Sequence, residues 1–143
     1  MYKREEIVRA LEQSGLRITS QRFCTMEYLL RRDVHSTADE IFHAINKSDP
    51  RASRATVYNS LNALSRAGLV REISIDGKAA LFDSNLRRHH HFVCDHCGVV
   101  EDVPWFDAPK AVRHSLGART VREFEVMLRG SCENCKKKEK PSC

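Results

Sequence analysis

The 143-residue sequence has no long hydrophobic run. No segment approaches the roughly 18 consecutive apolar residues of a membrane-spanning helix. The residues that follow Met1 are polar, and they lack the apolar stretch and cleavage-site pattern of a secretory signal. These absences argue against a membrane partner and against export. We therefore expect a cytoplasmic protein, in a compartment where paired cysteines bind metal more often than they bind each other.

Four of the six cysteines form two pairs, Cys94-x-x-Cys97 and Cys132-x-x-Cys135, with 34 residues between the pairs. A C-x-x-C step directs two thiolates from a tight turn to one ion, and four thiolates suit tetrahedral Zn²⁺. The separation exceeds that of a usual zinc ribbon, so a larger α/β unit could also bring the pairs together. The alternative is two disulfides, which would need an oxidising compartment. We predict a structural Zn²⁺ site.

The sequence also lacks a strong excess of charge of either sign. Its formal net charge is +5, and four thiolates with one Zn²⁺ would lower this to about +3. Global charge is therefore weak evidence for nucleic-acid binding, and the placement of the basic residues must decide.

The first half of the chain is predicted to be helical and to end in a hairpin. Helices are predicted at residues 3–14, 20–31, 37–47 and 54–66, and strands at 69–75 and 78–82. The local signals are a Ser36-x-x-Asp39 capping box, an N-cap at Ser53, Gly68 after the fourth helix, and Asp76-Gly77 between the strands. This order is that of a winged helix-turn-helix.

The pattern changes after a predicted linker at residues 84–88. Strands are predicted at 91–94, 99–103 and 121–128, a short helix within 105–116, and a disordered tail at 136–140. There is no internal repeat. We predict an α+β fold with an N-terminal winged-helix DNA-binding domain at residues 1–84 and a small α/β metal-binding domain at 85–143.

Polar residues on the fourth helix suggest DNA recognition. The face opposite Val57, Leu61 and Leu64 carries Arg54, Tyr58 and Asn59, which suit contact with base edges. The other candidate DNA-binding residues are Arg17, Arg22 and Lys78. An ordinary solvated helix face is the alternative. The preceding helices, the hairpin that would form the wing, and the clustered arginines favour a DNA-binding face instead. Because a single module binds DNA weakly, we expect a homodimer that binds two half-sites.

A second group of donors contains no thiolate. His89 and His91 share one side of an extended segment, Asp83 precedes them, Asp102 follows, and His35 lies far upstream. Imidazoles with carboxylates suit Fe²⁺ or Mn²⁺ and also accept Zn²⁺. Each residue has a simpler explanation, such as a polar loop for the histidines or a helix cap for His35. The chain would then carry one permanent and one exchangeable metal site.

Five motifs match a known family. They are Gly15-Leu16-Arg17-Ile18-Thr19-x-Gln21-Arg22, His35-x-Thr37-Ala38-Asp39, Ala55-Thr56-Val57-Tyr58, Gly68-Leu69-Val70 and His89-His90-His91-x-x-Cys94-x-x-Cys97-Gly98. From about Leu11 to Lys137, the sequence resembles the ferric uptake regulator (Fur) family of bacterial metal-dependent transcription factors. The resemblance implies a DNA-binding repressor, not an enzyme, with a C-terminal dimerisation domain.

The resemblance also implies the roles of individual residues. It implies structural Zn²⁺ on Cys94, Cys97, Cys132 and Cys135, and regulatory Fe²⁺ or Mn²⁺ on His35, Asp83, His89, His91 and Asp102. Tyr58 would touch bases, and Arg17 would reach toward the minor groove. Asp83, Asp102 and Asn59 make the chain most similar to the peroxide-responsive repressor (PerR) branch. In that branch, hydrogen peroxide oxidises ligand histidines when Fe²⁺ is bound, here His35 and His89.

Other functions remain open from the sequence. The chain could instead be an iron-responsive, or a zinc- or manganese-responsive, Fur-type repressor. A metalloenzyme is less favoured because five protein ligands leave little room for substrate and no nucleophile is evident. A zinc-stabilised adaptor without sensing is a third possibility. Many Fur proteins have a further metal site, but the aligned positions here are Arg88, His90 and Phe124, and we do not expect that site.

Overall fold

The computed structural model describes residues 4–32, 35–48, 50, 52–75 and 77–139. The chain divides into two compact units, an N-terminal unit of Met1–Leu86 and a C-terminal unit of Arg87–Cys143. Among the described residues, no helix has both the length and the apolar character needed to cross a membrane.

The N-terminal unit contains four helices and a small sheet. Its elements are α1 (Arg4–Gln13), α2 (Ser20–Arg32), β1 (Ser36–Thr37), α3 (Ala38–Ile45), α4 (Arg54–Arg66), β2 (Arg71–Ile73) and β3 (Leu81–Asp83). The three strands are antiparallel in the order β1-β3-β2. The helices followed by a β2–β3 hairpin form the winged helix-turn-helix that the sequence predicts.

The core of this unit forms around α4. Val57, Leu61 and Leu64 are fully buried on one face of this helix, as their spacing predicts. They belong to the same apolar cluster as Leu29 of α2 and Ile41 of α3. Burial of each such side chain contributes roughly 1.5–3 kcal/mol. This packing fixes which face of α4 remains in solvent.

Both ends of α4 are set by local hydrogen bonds. The Ser53 hydroxyl accepts from the Thr56 amide at 3.1 Å, which makes Ser53 the N-cap. Before it, the Asn46 side chain accepts from the Ala52 amide and donates to the Ala52 carbonyl, both at 3.0 Å. Gly68 follows the helix with φ 69°, where only glycine avoids a steric penalty. These contacts hold Ala52 beside the end of α3, and α4 has the limits, 54–66, that the sequence predicts.

Two local predictions in this unit were wrong. The capping box of α3 is Thr37 with Glu40, and Ser36 lies in β1 instead. The Thr37 side chain accepts from the Glu40 amide, while the Glu40 carboxylate accepts from the Thr37 amide. The two strands of the wing hairpin are also shorter than predicted. The Ile75 carbonyl accepts from the Lys78 amide in the turn, and β2 pairs with β3 only through Arg71–Ile73 and Leu81–Asp83. Asp76 itself lies outside the described residues.

The C-terminal unit contains a second three-stranded sheet. Its elements are β4 (His89–Cys94), β5 (Val100–Pro104), α5 (Lys110–Ser115), β6 (Met127–Gly130) and α6 (Glu133–Glu139). β4 is the central strand, antiparallel to β5 and parallel to β6. A parallel pair requires a crossover, which β5, α5 and the following loop supply. The mixed helix and strand content agrees with the predicted α+β class.

Two predictions in this unit also differ from the structure. The strand predicted at residues 121–128 is shorter and begins later, at Met127. The tail predicted to be disordered instead forms α6 through Glu139, and Lys140 lies outside the described residues. The Cys132 carbonyl accepts from the Lys136 amide, and Glu133 begins a helix whose last turn is basic. This charge order complements the helix dipole.

Candidate metal centres and DNA-binding face

The two cysteine pairs meet because β4 and β6 run side by side. Cys94 ends β4 and is the register partner of Gly130, the last residue of β6. Cys132 follows two residues later, immediately before α6, and Cys135 lies in the first turn of that helix. The Cys97 and Cys132 sulfurs are 3.7 Å apart. All four cysteines are free thiols, and their four Sγ atoms lie within 4.8 Å of one another.

Two of these thiols, Cys94 and Cys135, differ strongly in acidity. The backbone amide of Cys132 donates to Cys94 Sγ at 3.3 Å. This bond, with further backbone amides, lowers the pKa of Cys94 to about 6. The neighbouring Cys132 side chain, burial and the other cysteines raise the pKa of Cys135 to about 12. Four thiolates therefore need a cation to coexist, and this closed sulfur set fits a structural Zn²⁺ site.

Zinc binding to the metal-stripped, reduced protein should release protons and strengthen as pH rises. At pH 7, Cys94 is largely thiolate, whereas Cys135 is a thiol whose proton must leave before it can bind metal. Between pH 8 and pH 6 we expect apparent Zn²⁺ affinity to fall at least tenfold. Chelator competition at several pH values, with dye-detected proton release, measures this. A pH-independent affinity would contradict it.

Three of the predicted exchangeable-site residues lie together in the C-terminal unit. His89 and His91 are buried on the same side of β4, and Asp102 of β5 is the register partner of His91. The two Nε2 atoms are 2.9 Å apart. His89 Nε2 lies 3.4 Å from Asp102 Oδ1. Alternation along β4 and the β4–β5 register thus create an imidazole–carboxylate cluster.

The hydrogen bonds of these two histidines show which ring nitrogens face the cluster. His89 Nδ1 lies 2.8 Å from the Arg87 carbonyl, and His91 Nδ1 lies 2.7 Å from Glu125 Oε1. The Arg87 carbonyl can only accept a hydrogen bond, and so can the ionised carboxylate of Glu125. Both Nδ1 atoms therefore carry hydrogen. When both rings are neutral, the two Nε2 lone pairs then face each other at 2.9 Å. Two such lone pairs repel unless a cation lies beside both, and this donor set fits a divalent metal.

The remaining two predicted ligands lie together in the N-terminal unit. His35 Nε2 is 3.9 Å from Asp83 Oδ2, and both side chains are almost fully buried. The register explains this proximity, because Ser36 pairs with Phe82 and the antiparallel order places His35 opposite Asp83. Asp83 Oδ1 also accepts from the Asn85 amide at 2.6 Å, which holds the carboxylate in place. The unit therefore presents one imidazole and one carboxylate as a pair.

His90 belongs to a different environment on the opposite side of β4. Its ring contacts three aromatic residues, Trp105, Phe106 and Phe124, with centroids 4.0–5.3 Å away. Its Nδ1 accepts from the Val126 amide at 3.1 Å, and its Nε2 lies 3.0 Å from the Phe106 carbonyl. Arg88 covers the Trp105 ring at 3.9 Å. His90 is therefore a structural residue whose two ring nitrogens bond to backbone.

The candidate DNA-contact residues differ in how accessible they are. Tyr58 is 48% exposed, and Asn59, Arg17 and Lys78 are also exposed. The Arg22 guanidinium donates to the Arg17 carbonyl at 2.7 Å, which orders the entry to α2. The last candidate, the guanidinium of Arg54, is engaged within its own unit. It pairs with the Asp39 carboxylate and lies 4.6 Å above the Phe42 ring.

The winged helix, the Cys₄ cluster and the imidazole–carboxylate donors together define a metal-dependent, DNA-binding regulator of transcription. The sequence pattern of the Ferric uptake regulator family matches residues 13–125. The chain belongs to this family, whose members are transcription regulators and not enzymes.

Individual relatives support the same assignment. The peroxide-responsive repressor PerR of Staphylococcus aureus (strain Mu50 / ATCC 700699) is 34% identical over 139 residues, which is 94% of this chain and 92% of the relative. A Campylobacter jejuni peroxide stress regulator has a similar structure, with TM-score 0.65 and 29% identity over 94% of this chain and all of that one. Helicobacter pylori ferric uptake regulator Fur shares the fold, with TM-score 0.75 and 22% identity over 97% of each chain.

Proposed function

We propose that this protein is a peroxide-responsive repressor that binds operator DNA as a homodimer. The observation that carries the proposal is the pair of Nε2 atoms, from His89 and His91, that face each other at 2.9 Å beside Asp102. These nitrogen and oxygen donors suit Fe²⁺ or Mn²⁺ better than the four cysteine sulfurs do. We assign the sulfurs to structural Zn²⁺. The similarity to PerR of Staphylococcus aureus supports peroxide as the signal.

Regulation in this proposal depends on donors from both units. One divalent cation would bind His35 and Asp83 of the N-terminal unit together with His89, His91 and Asp102 of the C-terminal unit. Such binding stabilises only conformers in which the two donor groups are close, which is the differential affinity that a population shift needs. The N-terminal unit would act as the DNA-binding domain, and the C-terminal unit as the dimerisation domain.

The peroxide response requires a redox-active ion and a susceptible ligand. Bound Fe²⁺ would activate hydrogen peroxide and end the reaction in its starting oxidation state. In the net reaction the histidine ring loses two electrons to peroxide, one peroxide oxygen is placed on a ring carbon, and the other leaves as water. The candidate rings are His35 and His89. The oxidised ring is a poorer donor, so the chain loses its preference for the DNA-binding conformers.

The proposed DNA contacts lie on and around α4. Tyr58 and Asn59 would reach base edges from its exposed face, with Arg54 at its first turn. Arg17, Arg22 and Lys78 would contact phosphates or the minor groove. Because Arg54 is paired with Asp39 and Phe42, this arginine must exchange partners to meet DNA, and we assign most base recognition to Tyr58 and Asn59.

Peroxide should release iron-loaded protein from DNA and leave manganese-loaded protein bound. Duplexes are first selected from a randomised pool with the Zn²⁺- and Mn²⁺-loaded dimer. Affinity for the selected duplex is then measured by fluorescence anisotropy, with and without dilute peroxide, for each metal. We expect at least tenfold weaker binding only with Fe²⁺, and a mass increase of one oxygen mapping to His35 or His89.

The same measurement separates this proposal from an iron-responsive repressor of metal uptake. That second candidate is favoured by the fold shared with Helicobacter pylori Fur, and it predicts Fe²⁺-dependent binding with no selective effect of peroxide. Equal affinity of the apo and Mn²⁺-loaded forms for the selected duplex would contradict metal-dependent repression altogether.

A further inference from the structure

Glu125 contacts the imidazole–carboxylate cluster from outside. It lies just before β6, on a segment where sequence analysis predicted only a strand and no functional residue. Its Oε1 is 2.7 Å from His91 Nδ1. His91 is fully buried, whereas the Glu125 side chain is 36% exposed. A charge-assisted hydrogen bond of this length is strong, and the buried ring has no solvent to replace it.

The position of the carboxylate assigns its role. It meets the ring at Nδ1, whereas the cluster faces Nε2, so Glu125 lies on the opposite edge of the ring from any shared cation. A carboxylate that accepts from Nδ1–H fixes the tautomer and the plane of the ring, and it increases the basicity of Nε2. The corresponding Nδ1–H of His89 donates to the neutral carbonyl of Arg87. The two histidines are therefore unequal donors.

We propose that Glu125 is a positioning residue for the exchangeable metal site, and that it acts by holding the His91 ring and strengthening its Nε2 as a donor. The inference rests on the proposed function, since it concerns the same cation. It adds a residue outside the predicted ligand set. It also makes His91 the stronger of the two β4 imidazole donors.

Two substitutions separate orientation from charge. Glu125→Gln keeps a side-chain carbonyl that can accept from His91 Nδ1, but it removes the negative charge. Glu125→Leu removes both. In Zn²⁺-loaded protein, we expect Mn²⁺ affinity, measured by chelator competition, to fall several-fold for the glutamine variant and roughly 10- to 100-fold for the leucine variant.

Matched variants and a spectroscopic readout exclude a merely structural effect. Glu123→Gln and Glu123→Leu change an exposed glutamate two residues away and should leave Mn²⁺ affinity within twofold of wild type. Ring ¹⁵N shifts, recorded without Mn²⁺, should show a protonated Nδ1 at His91 in wild type and Glu125→Gln. The leucine variant should show a mixed tautomer, and Trp105, which stacks on His90, should keep its folded-state emission, because the unit loses one hydrogen bond but not its fold.

The outcomes distinguish this inference from the function on which it rests. If wild type binds Mn²⁺ and both Glu125 variants bind it equally well, the positioning role is wrong and the metal site stands. Equal losses in the Glu123 variants would also overturn the positioning role. If wild type itself does not bind Mn²⁺, the proposed function and this inference both fail. If Glu125→Leu does not fold, the affinity and ring shifts of Glu125→Gln decide the question.

Discussion

Replacing Cys94 with serine should unfold the C-terminal unit while the N-terminal unit keeps its helices. Cys94 is fully buried at the end of β4, and its sulfur accepts from the Cys132 amide. Among the described residues of this unit, Val93 is the single buried apolar residue that is not a cysteine. A structural Zn²⁺ site contributes about 10–16 kcal/mol in small zinc domains. A unit with so small a core cannot lose that contribution and remain folded.

The single tryptophan makes this result measurable. Trp105 belongs to the C-terminal unit and stacks on His90 with ring centroids 4.6 Å apart. In Cys94→Ser we expect its emission to shift to that of a solvated indole, and the proposed homodimer to dissociate in size-exclusion chromatography. Far-ultraviolet circular dichroism should retain most of the helical signal of α1–α4. The zinc content should fall to near zero.

A matched control is Cys24→Ser, since Cys24 lies on α2, outside the sulfur cluster. Its zinc content, its elution in size-exclusion chromatography and its Trp105 emission should match those of wild type. A Cys94→Ser protein that remains dimeric, with unshifted emission, would show that the unit folds without zinc.

Replacing His89 with alanine should abolish the dependence of DNA affinity on Mn²⁺. The substitution removes one of the two Nε2 donors that face each other, and the remaining donors bind the ion more weakly. A roughly hundredfold preference of the cation for one conformer supplies about 2.7 kcal/mol per subunit. We therefore expect the affinity ratio of Mn²⁺-loaded to apo protein to fall from at least a hundred to near one.

The measurement is anisotropy on the selected duplex, with Mn²⁺ titrated into Zn²⁺-loaded protein. His114→Ala is the control, because His114 is exposed on α5 and outside the metal cluster. The zinc content of His89→Ala should match wild type, since the sulfur site is intact. If His89→Ala kept the full Mn²⁺ response, the regulatory role of the β4 histidines would be wrong.

Strong periodic signals made much of the fold predictable. The α4 stripe of Val57, Leu61 and Leu64, with Ser53 and Gly68 at its ends, gave the correct helix limits. The C-x-x-C spacing likewise indicated the sulfur cluster before any geometry was known. In each case the residue type and its spacing carry the structural information locally.

Features that depend on long-range pairing were not predictable from local patterns, and only the family resemblance grouped His35 with Asp83. β1 has only two residues and no periodicity, yet its register with β3 brings His35 opposite Asp83. The parallel pairing of β4 with β6 depends on a crossover, and it places Val126 and Glu125 beside the β4 histidines. Glu125 has no local motif, because its role arises from a register between distant segments. The helix α6 was missed because its lysines resemble a solvated tail.

The parallel β4–β6 pair also has a consequence for biosynthesis. β4 and Cys94 leave the ribosome well before β6 and Cys132. During that interval the first cysteine pair therefore supplies only two of the four sulfur ligands. The N-terminal unit has all its elements earlier and can fold while synthesis continues. In the proposed zinc-bound homodimer, metal binding would therefore be a late maturation step, and a newly made chain would gain its dimerisation surface only after its N-terminal unit is complete.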